Sequence, residues 1–326
     1  MESTRIGFLG FGEVGRRFAA DLRAGGAQRA LATYDLLLHQ AAAGEGMRRH
    51  AAAQRVDLLT DASGLAESSL IFSAVTAAQT RAAAQSLCAR PLGETWVVDL
   101  NSASPDTKIE CAALVAAAGG RYVEAAVMTS VPPHGIRVPM LLGGPHAAAC
   151  EPVLRTLGFV ATAVSDQLGI ASAIKLCRSV IIKGLEALVV ESFTAARAFG
   201  VEREVLASLQ ETYPQFDWEK QGDYLFSRVI QHGRRRSEEM QASAEMIDTA
   251  GVGGVMAAAA AFRQAGVATL KEAGVFEQPT EQKAWRDRAD AILKLVPGGG
   301  DGELSRRGDS TEPHERLPIS PTRHQP

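Results

Sequence analysis

Gly10-Phe11-Gly12-Glu13-Val14-Gly15 decides how this chain folds. The six residues close a short apolar run, Arg5-Ile6-Gly7-Phe8-Leu9-Gly10, and open a helical stretch over 14–22, so they stand where a strand turns into a helix. A lone GxGxxG string is weak, but in this strand–turn–helix setting it reads as a dinucleotide-binding βαβ fingerprint. Gly10 permits the tight turn, Gly12 lets the backbone approach a pyrophosphate, and Gly15 lets helix and strand pack closely. The helix start offers unpaired N–H groups and the positive dipole end to phosphate. Asp35 lies 20 positions beyond Gly15, after a second apolar run, Leu31-Ala32-Thr33-Tyr34. There it is placed to accept hydrogen bonds from both ribose hydroxyls of NAD and to repel the extra phosphate of NADP. The expected cofactor is NAD, with NADP less favoured, held by Gly10, Phe11, Gly12, Glu13, Val14, Gly15 and Asp35. Glu13 is the odd member, because a carboxylate near pyrophosphate is unfavourable; its side chain is expected to face solvent.

Outward from this turn, short apolar runs recur at Val56-Asp57-Leu58-Leu59, Leu70-Ile71-Phe72-Ser73-Ala74-Val75 and Trp96-Val97-Val98-Asp99-Leu100, with helical stretches such as 77–89 and 105–118 between them. That alternation predicts βαβ units in a parallel sheet. Segments 121–126, 138–142 and 159–164 extend the sheet. Ligands of such sheets bind beyond the carboxyl ends of the strands, which brings in Val75, Thr76 and Asn101. For Asn101, a turn-forming or N-cap role before the helix at Pro105 weighs equally.

After about Asp166 the pattern becomes helical: 168–199 is nearly continuous, followed by 202–213, 220–230, 237–250, 255–273 and 280–295. The expected fold is an α/β Rossmann domain with a mostly parallel doubly wound sheet over 1–165, then an all-α C-terminal domain over 166–296, with the active site in the cleft between them. Pro297-Gly298-Gly299-Gly300 opens a tail over 297–326 whose composition cannot build a core and predicts disorder.

At 326 residues with 46% apolar and 22% charged residues, the composition is that of an ordinary globular protein. A net charge of -3 gives no reason to expect nucleic acid as a partner. The apolar runs break well before ~18 residues, so no membrane span is expected. The first strand is expected within about five residues of Met1, so no signal peptide is expected. The cysteines, Cys88, Cys111, Cys150 and Cys177, lack metal or CxxC spacing, and with the histidines, among them His134 and His146, they suggest no metal site. A cytoplasmic location is expected.

Four stretches together resemble the β-hydroxyacid dehydrogenase superfamily, which includes 3-hydroxyisobutyrate and 6-phosphogluconate dehydrogenases. They are Gly7 to Gly15, Asp99-Leu100-Asn101-Ser102-Ala103, Tyr122-Val123-Glu124-Ala125-Ala126-Val127, and Gly169-Ile170-Ala171-Ser172-Ala173-Ile174-Lys175. The likeness runs over roughly 4–295 and is closest to a branch with a distinctive, 6-phosphogluconate-dehydrogenase-like C-terminal domain. The resemblance implies a substrate-carboxylate loop at Asn101-Ser102-Ala103 and a catalytic lysine at Lys175. The family's usual Ser-Gly-Gly becomes Met128-Thr129-Ser130, which implies altered substrate contacts at Thr129 and Ser130. The asparagine usual one turn beyond the lysine is Ser179. The 6-phosphogluconate dehydrogenases carry a glutamate two turns beyond it, where this chain has Ile182, so decarboxylation is disfavoured.

Physical chemistry gives Lys175 a role as general base: oxidising an alcohol needs an acceptor for the hydroxyl proton, and burial lowers a lysine's proton affinity. On a helix, Ser179 lies about 40° and Glu186 about 20° from Lys175, sharing its face, while Lys183 at about 80° suits an interface or ion-pair role. In His232-Gly233-Arg234-Arg235-Arg236, one arginine, taken as Arg235, is expected to hold a substrate carboxylate or phosphate, with Glu238 and Glu239 neutralising the remainder. The expected activity is hydride transfer between nicotinamide and a small-molecule 3-hydroxy acid or the matching carbonyl acid. Two alternatives stay open: an imine reductase or reductive aminase, which usually carries another residue at the lysine position, and a non-catalytic dinucleotide-binding protein. The apolar surface of the helical region suggests a homodimer.

Overall fold

The computed structural model describes residues 5–25, 29–276 and 284–295. The tail over 297–326 and the first residues of the helix expected from 280 lie outside the described residues.

Eight strands form one sheet in the order β3-β2-β1-β4-β5-β6-β7-β8. They are β1 (Ile6–Leu9), β2 (Leu31–Tyr34), β3 (Val56–Leu58), β4 (Leu70–Ser73), β5 (Trp96–Asp99), β6 (Arg121–Val127), β7 (Met140–Gly143) and β8 (Ala161–Ser165). The helices α1 (Glu13–Ala24), α2 (Ala41–Ala53), α3 (Thr80–Leu87), α4 (Pro105–Ala117), α5 (Val131–His134) and α6 (Ala147–Thr156) lie between strands. Every neighbouring pair is parallel except β6 and β7, which run antiparallel.

The central strands bury both faces, and their period-two alternation sorts side chains into two cores. Ile6, Phe8, Leu70, Phe72, Val98 and Val123 face one core. There Phe72 packs against Phe8 at 6.0 Å, Phe18 at 5.8 Å and Phe159 at 5.0 Å. Leu9, Ile71, Val97 and Tyr122 face the other, against Leu87 and Val115. Burial on both sides is why these strands read as continuous apolar runs.

Beyond β8 the described elements are all helical: α7 (Ile170–Phe199), α8 (Glu202–Thr212), α9 (Trp218–Thr249), α10 (Val255–Glu272) and α11 (Trp285–Leu293). The chain divides into two compact units, residues 1–188 with 228–269, and residues 189–227 with 270–326. In the first, Ala187, Met240, Ala244, Ala257, Ala260 and Ala261 form a small-residue helix cluster. In the second, Trp285 is fully buried against Phe193 at 4.9 Å and Phe226 at 6.1 Å.

Two expected helices, 220–230 and 237–250, prove to be the single helix α9. The sequence reading left a gap between them over 231–236, which holds Gly233. A Cβ there would lie 2.8 Å from the Gln264 carbonyl oxygen, so this glycine serves the close approach of α10 rather than a turn.

Candidate functional site

The Gly10–Gly15 turn is fixed by sterics. Gly10 has φ +95, and a Cβ there would lie 2.5 Å from the Ala74 carbonyl oxygen. A Cβ on Gly15 would lie 2.5 Å from the Gly10 carbonyl oxygen. Over Gly12 nothing lies within 4 Å, and α1, which it N-caps, has no side-chain cap. The open space and uncapped first-turn N–H groups suit a pyrophosphate. Asp35 closes the turn from the end of β2: its Oδ2 accepts from Phe11 N–H at 2.7 Å and its Oδ1 from Leu37 N–H at 2.9 Å. Glu13 is exposed in the first turn of α1, where a carboxylate favours the helix dipole.

Two of the residues expected at the cofactor have partners within the protein. The Phe11 side chain is fully buried, 6.3 Å from Phe8, and its N–H is taken by Asp35, so it shapes the turn from within. Asn101 is buried and turned inward, its Oδ1 accepting from Val75 N–H at 2.7 Å and its Nδ2 donating to Ser73 Oγ at 2.9 Å. It ties together the ends of β4 and β5, and it occupies the Val75 N–H as well. Thr76, one residue on, is exposed.

Beneath this loop lies a buried ion pair. Lys108, with no exposed surface, reaches Asp99 Oδ1 at 3.0 Å and the Asp99 carbonyl at 3.0 Å. Tyr122 donates to Asp99 Oδ2 at 2.7 Å, and the Asn101 N–H donates to Oδ1 at 2.9 Å. Burial, with Asp99 alongside, pushes the Tyr122 phenol well up. Ser104 caps α4 through Thr107 N–H, with Pro105 in its first turn. Between these anchors Ser102 stands at the loop surface.

Lys175 meets that loop. Its Nζ donates to Ser102 Oγ at 2.6 Å. The start of α7 is set by Glu124, a fully buried carboxylate on β6 that accepts from Gly169 N–H at 2.6 Å and from Ser172 N–H. This acidic cap complements the helix dipole. Burial lowers the Lys175 pKa to about 8; Glu239 opposes that fall, and Lys108, Lys183 and Arg235 add to it.

Just over two turns along α7, Lys183 Nζ lies 3.0 Å from Ser179 Oγ and 2.6 Å from Glu239 Oε2 on α9. Arg235 Nη1 reaches the other oxygen of Glu239 at 3.2 Å. Burial alone would raise Glu239, but Lys183 and Arg235 hold its carboxyl below the usual range. The neighbouring Arg236 is buried in a pair with Glu186 at 2.7 Å. Ser179 is buried and accepts from Lys183. Thr129 is exposed and Ser130 half-buried. Sequence reasoning passed over Arg178, whose Nη1 donates to the Met128 carbonyl at 3.5 Å. Its spacing of three from Lys175 was the available signal.

Among the described residues no group of three or more His, Cys, Asp or Glu side chains is arranged to hold a metal ion, and no helix is long and apolar enough to cross a membrane.

Residues 196–267 match a family described as "Domain of unknown function (DUF1932)". A conserved hypothetical protein from Sinorhizobium meliloti has a similar structure, with TM-score 0.73 and 37% identity over 89% of this chain and 96% of that one. The conserved protein MTH1747, of unknown function and noted for structural similarity with 3-hydroxyacid dehydrogenases, follows at TM-score 0.66 and 28% identity, covering 83% and 99%. Mycobacterium tuberculosis 3-hydroxyisobutyrate dehydrogenase, solved with L-serine, shares the fold at TM-score 0.64 and 19% identity over 82% and 94%. So does a reductive aminase from Aspergillus terreus, solved with NADPH and ethyl levulinate, at TM-score 0.51 and 20% identity over 89% and 98%. An uncharacterised 28.5 kDa protein of Methanothermus fervidus is 30% identical over 146 residues, 44% of this chain and 54% of that protein, so the chain spans about half the length of that curated relative. The chain belongs to the family of the Sinorhizobium protein, and its fold is that of β-hydroxyacid dehydrogenase-like proteins.

Proposed function

We propose that the protein is a nicotinamide-dependent oxidoreductase that interconverts a 3-hydroxy acid and the matching carbonyl acid. The observation that carries this reading is Lys175, held at 2.6 Å from Ser102 on the loop after β5 with its pKa lowered to about 8. A lysine so placed exchanges a proton near neutral pH, as a general base or acid must.

The open cradle over Gly12 and the uncapped start of α1 would hold the pyrophosphate, and Asp35 the adenosine ribose, with NAD taken over NADP. Bound there, the nicotinamide supplies a hydride acceptor or donor. Lys175 Nζ takes the hydroxyl proton in oxidation and returns it in reduction. Ser102 steers Lys175 Nζ and, with Thr129 and Ser130, contacts the substrate's acid group. Lys183, Ser179 and Glu239 hold the electrostatic setting of that nitrogen.

A reductive aminase shares the fold, and the ionisable lysine favours alcohol chemistry over imine chemistry. Exposed apolar side chains, Ile181 on α7 and Val255 and Phe262 on α10, support a homodimer. The test is a panel of 3-hydroxy acids with NAD and NADP, followed by reduced-nicotinamide absorbance, beside a panel of cyclic imines with NADH and NADPH. Turnover of hydroxy acids, with NAD preferred at least about tenfold, supports the reading. Turnover of imines alone overturns it, and equal use of NADP overturns the role of Asp35.

A further inference from the structure

Two guanidinium groups near Lys175 are left largely unused by the fold: Arg178, three residues on along α7, and Arg235 of α9, whose charge acts on Lys175. Viewed down α7, Arg178 lies about 60° to one side of Lys175 and Lys183 about 80° to the other. Arg178 is exposed, and among the described residues its contact is the long one to Met128, at the head of the Met128-Thr129-Ser130 segment. On the Lys183 side, the Arg235 side chain is 61% exposed and engages Glu239 through Nη1. A guanidinium carries five N–H donors in a planar fork, so most of the donor capacity of both groups is unspent.

The charges around them do not cancel. Lys108 is matched by Asp99, and Arg236 by Glu186. Lys183 and Arg235 share the one carboxylate of Glu239, and Arg178 has no carboxylate partner among the described residues. Two positive charges therefore remain uncompensated even when Lys175 is neutral. A single carboxylate would answer one of them. Arginine rather than lysine at both positions suits a planar acid group bound by paired N–H donors.

Building on the reading of Lys175 as the base, we propose that the substrate is a dianionic hydroxy acid, with one acid group held by Arg178 and the other by Arg235. Arg178, beside the segment that replaces the family's Ser-Gly-Gly, is then a specificity-determining residue. The second acid group is a carboxylate or a phosphate.

The test uses the full chain and two measurements. In calorimetry, with malonate and acetate as unreactive probes, wild type binds malonate at least about tenfold more tightly, and Arg178→Gln and Arg235→Gln each remove that preference without lowering the melting temperature. In kinetics, pairs of 3-hydroxy acids differing by one further carboxylate or phosphate show a similar preference in kcat/KM, and the two variants lose it mainly through KM. The carboxylate and phosphate members of the panel separate the two sources of the second charge. Malonate binding no better than acetate, or either variant keeping the wild-type preference, overturns the proposal. Monoacids turned over as well as diacids overturn it while leaving the dehydrogenase reading intact. A malonate preference lost in both variants, with no hydroxy acid turned over, supports the dianion site and defeats the dehydrogenase reading instead.

Discussion

The Gly10–Gly15 turn and the Lys175 face of α7 are held in place by different physics. At the turn, backbone atoms approach so closely that a single added carbon at Gly10 or Gly15 meets a carbonyl oxygen at 2.5 Å. On the helix face, position is set by charge: Glu239 joins Lys183 to Arg235, Glu186 holds Arg236, and Glu124 caps the helix start. Steric constraint is local and leaves a pattern in consecutive residues. Electrostatic constraint joins residues 50 or more positions apart, as in Arg236 and Glu186, and leaves none.

The largest expected effect falls on the helix face. Lys175→Ala lowers kcat by ~10² to 10⁴ with dinucleotide affinity unchanged, measured by steady-state kinetics and fluorescence titration. Lys175→Arg does not restore the rate, because guanidinium keeps its proton at working pH. Wild-type kcat in Lys175→Ala makes this lysine ordinary helix surface. Next, Glu186→Ala leaves Arg236 charged and buried and costs about 3–5 kcal/mol of stability in urea unfolding, whereas Glu186→Leu with Arg236→Met restores most of it. A loss under 1 kcal/mol in the single variant removes this pair from the framework.

At the turn, two alanines separate fold from binding. Gly10→Ala places a side chain at positive φ against Ala74 and destabilises the fold by roughly 1–3 kcal/mol. Gly12→Ala meets open space, so stability holds while dinucleotide affinity falls at least about tenfold. Equal dinucleotide binding by Gly12→Ala and wild type places the pyrophosphate elsewhere.

The same contrast explains what was legible in the sequence. Strands buried on both faces read as apolar runs, and six of the seven neighbouring strand pairs, the parallel ones, needed no long-range information beyond the alternation of helix and strand. The antiparallel entry of β7 depends on the short connection through α5, whose turn residues Pro132, Pro133 and Gly135 do not announce a reversal of direction. Lys175 and Ser102 were legible through their motifs, whereas the place of Lys183 on the helix suggested an interface or ion-pair role without revealing Glu239 as its partner. Asn101 read equally well as ligand contact or scaffold, because its inward partners, Ser73 and Val75, lie 28 and 26 positions away. The continuity of α9 through Gly233 was not legible, because the carbonyl that requires a glycine there belongs to α10.

The smallest expected effect sharpens the comparison most, because it asks whether distant charge tunes the chemistry or only builds the helix pair. Lys175 works as a base in its neutral form, so oxidation loses rate as pH falls through about 8 and the lysine takes up a proton. The carboxylate of Glu239 stabilises protonated Lys175, opposing the effects of burial, Lys183 and Arg235. Glu239→Gln keeps the size of the side chain and removes its charge. Protonated Lys175 then loses its attractive partner while the neighbouring cations stay, its pKa falls further, and the limb of the kcat profile moves to lower pH by roughly one unit. At pH values below the wild-type limb the variant therefore runs closer to its plateau than wild type does. A merely structural Glu239 would change the melting temperature and scale kcat evenly at every pH, and a limb fixed at its wild-type position would assign it that role.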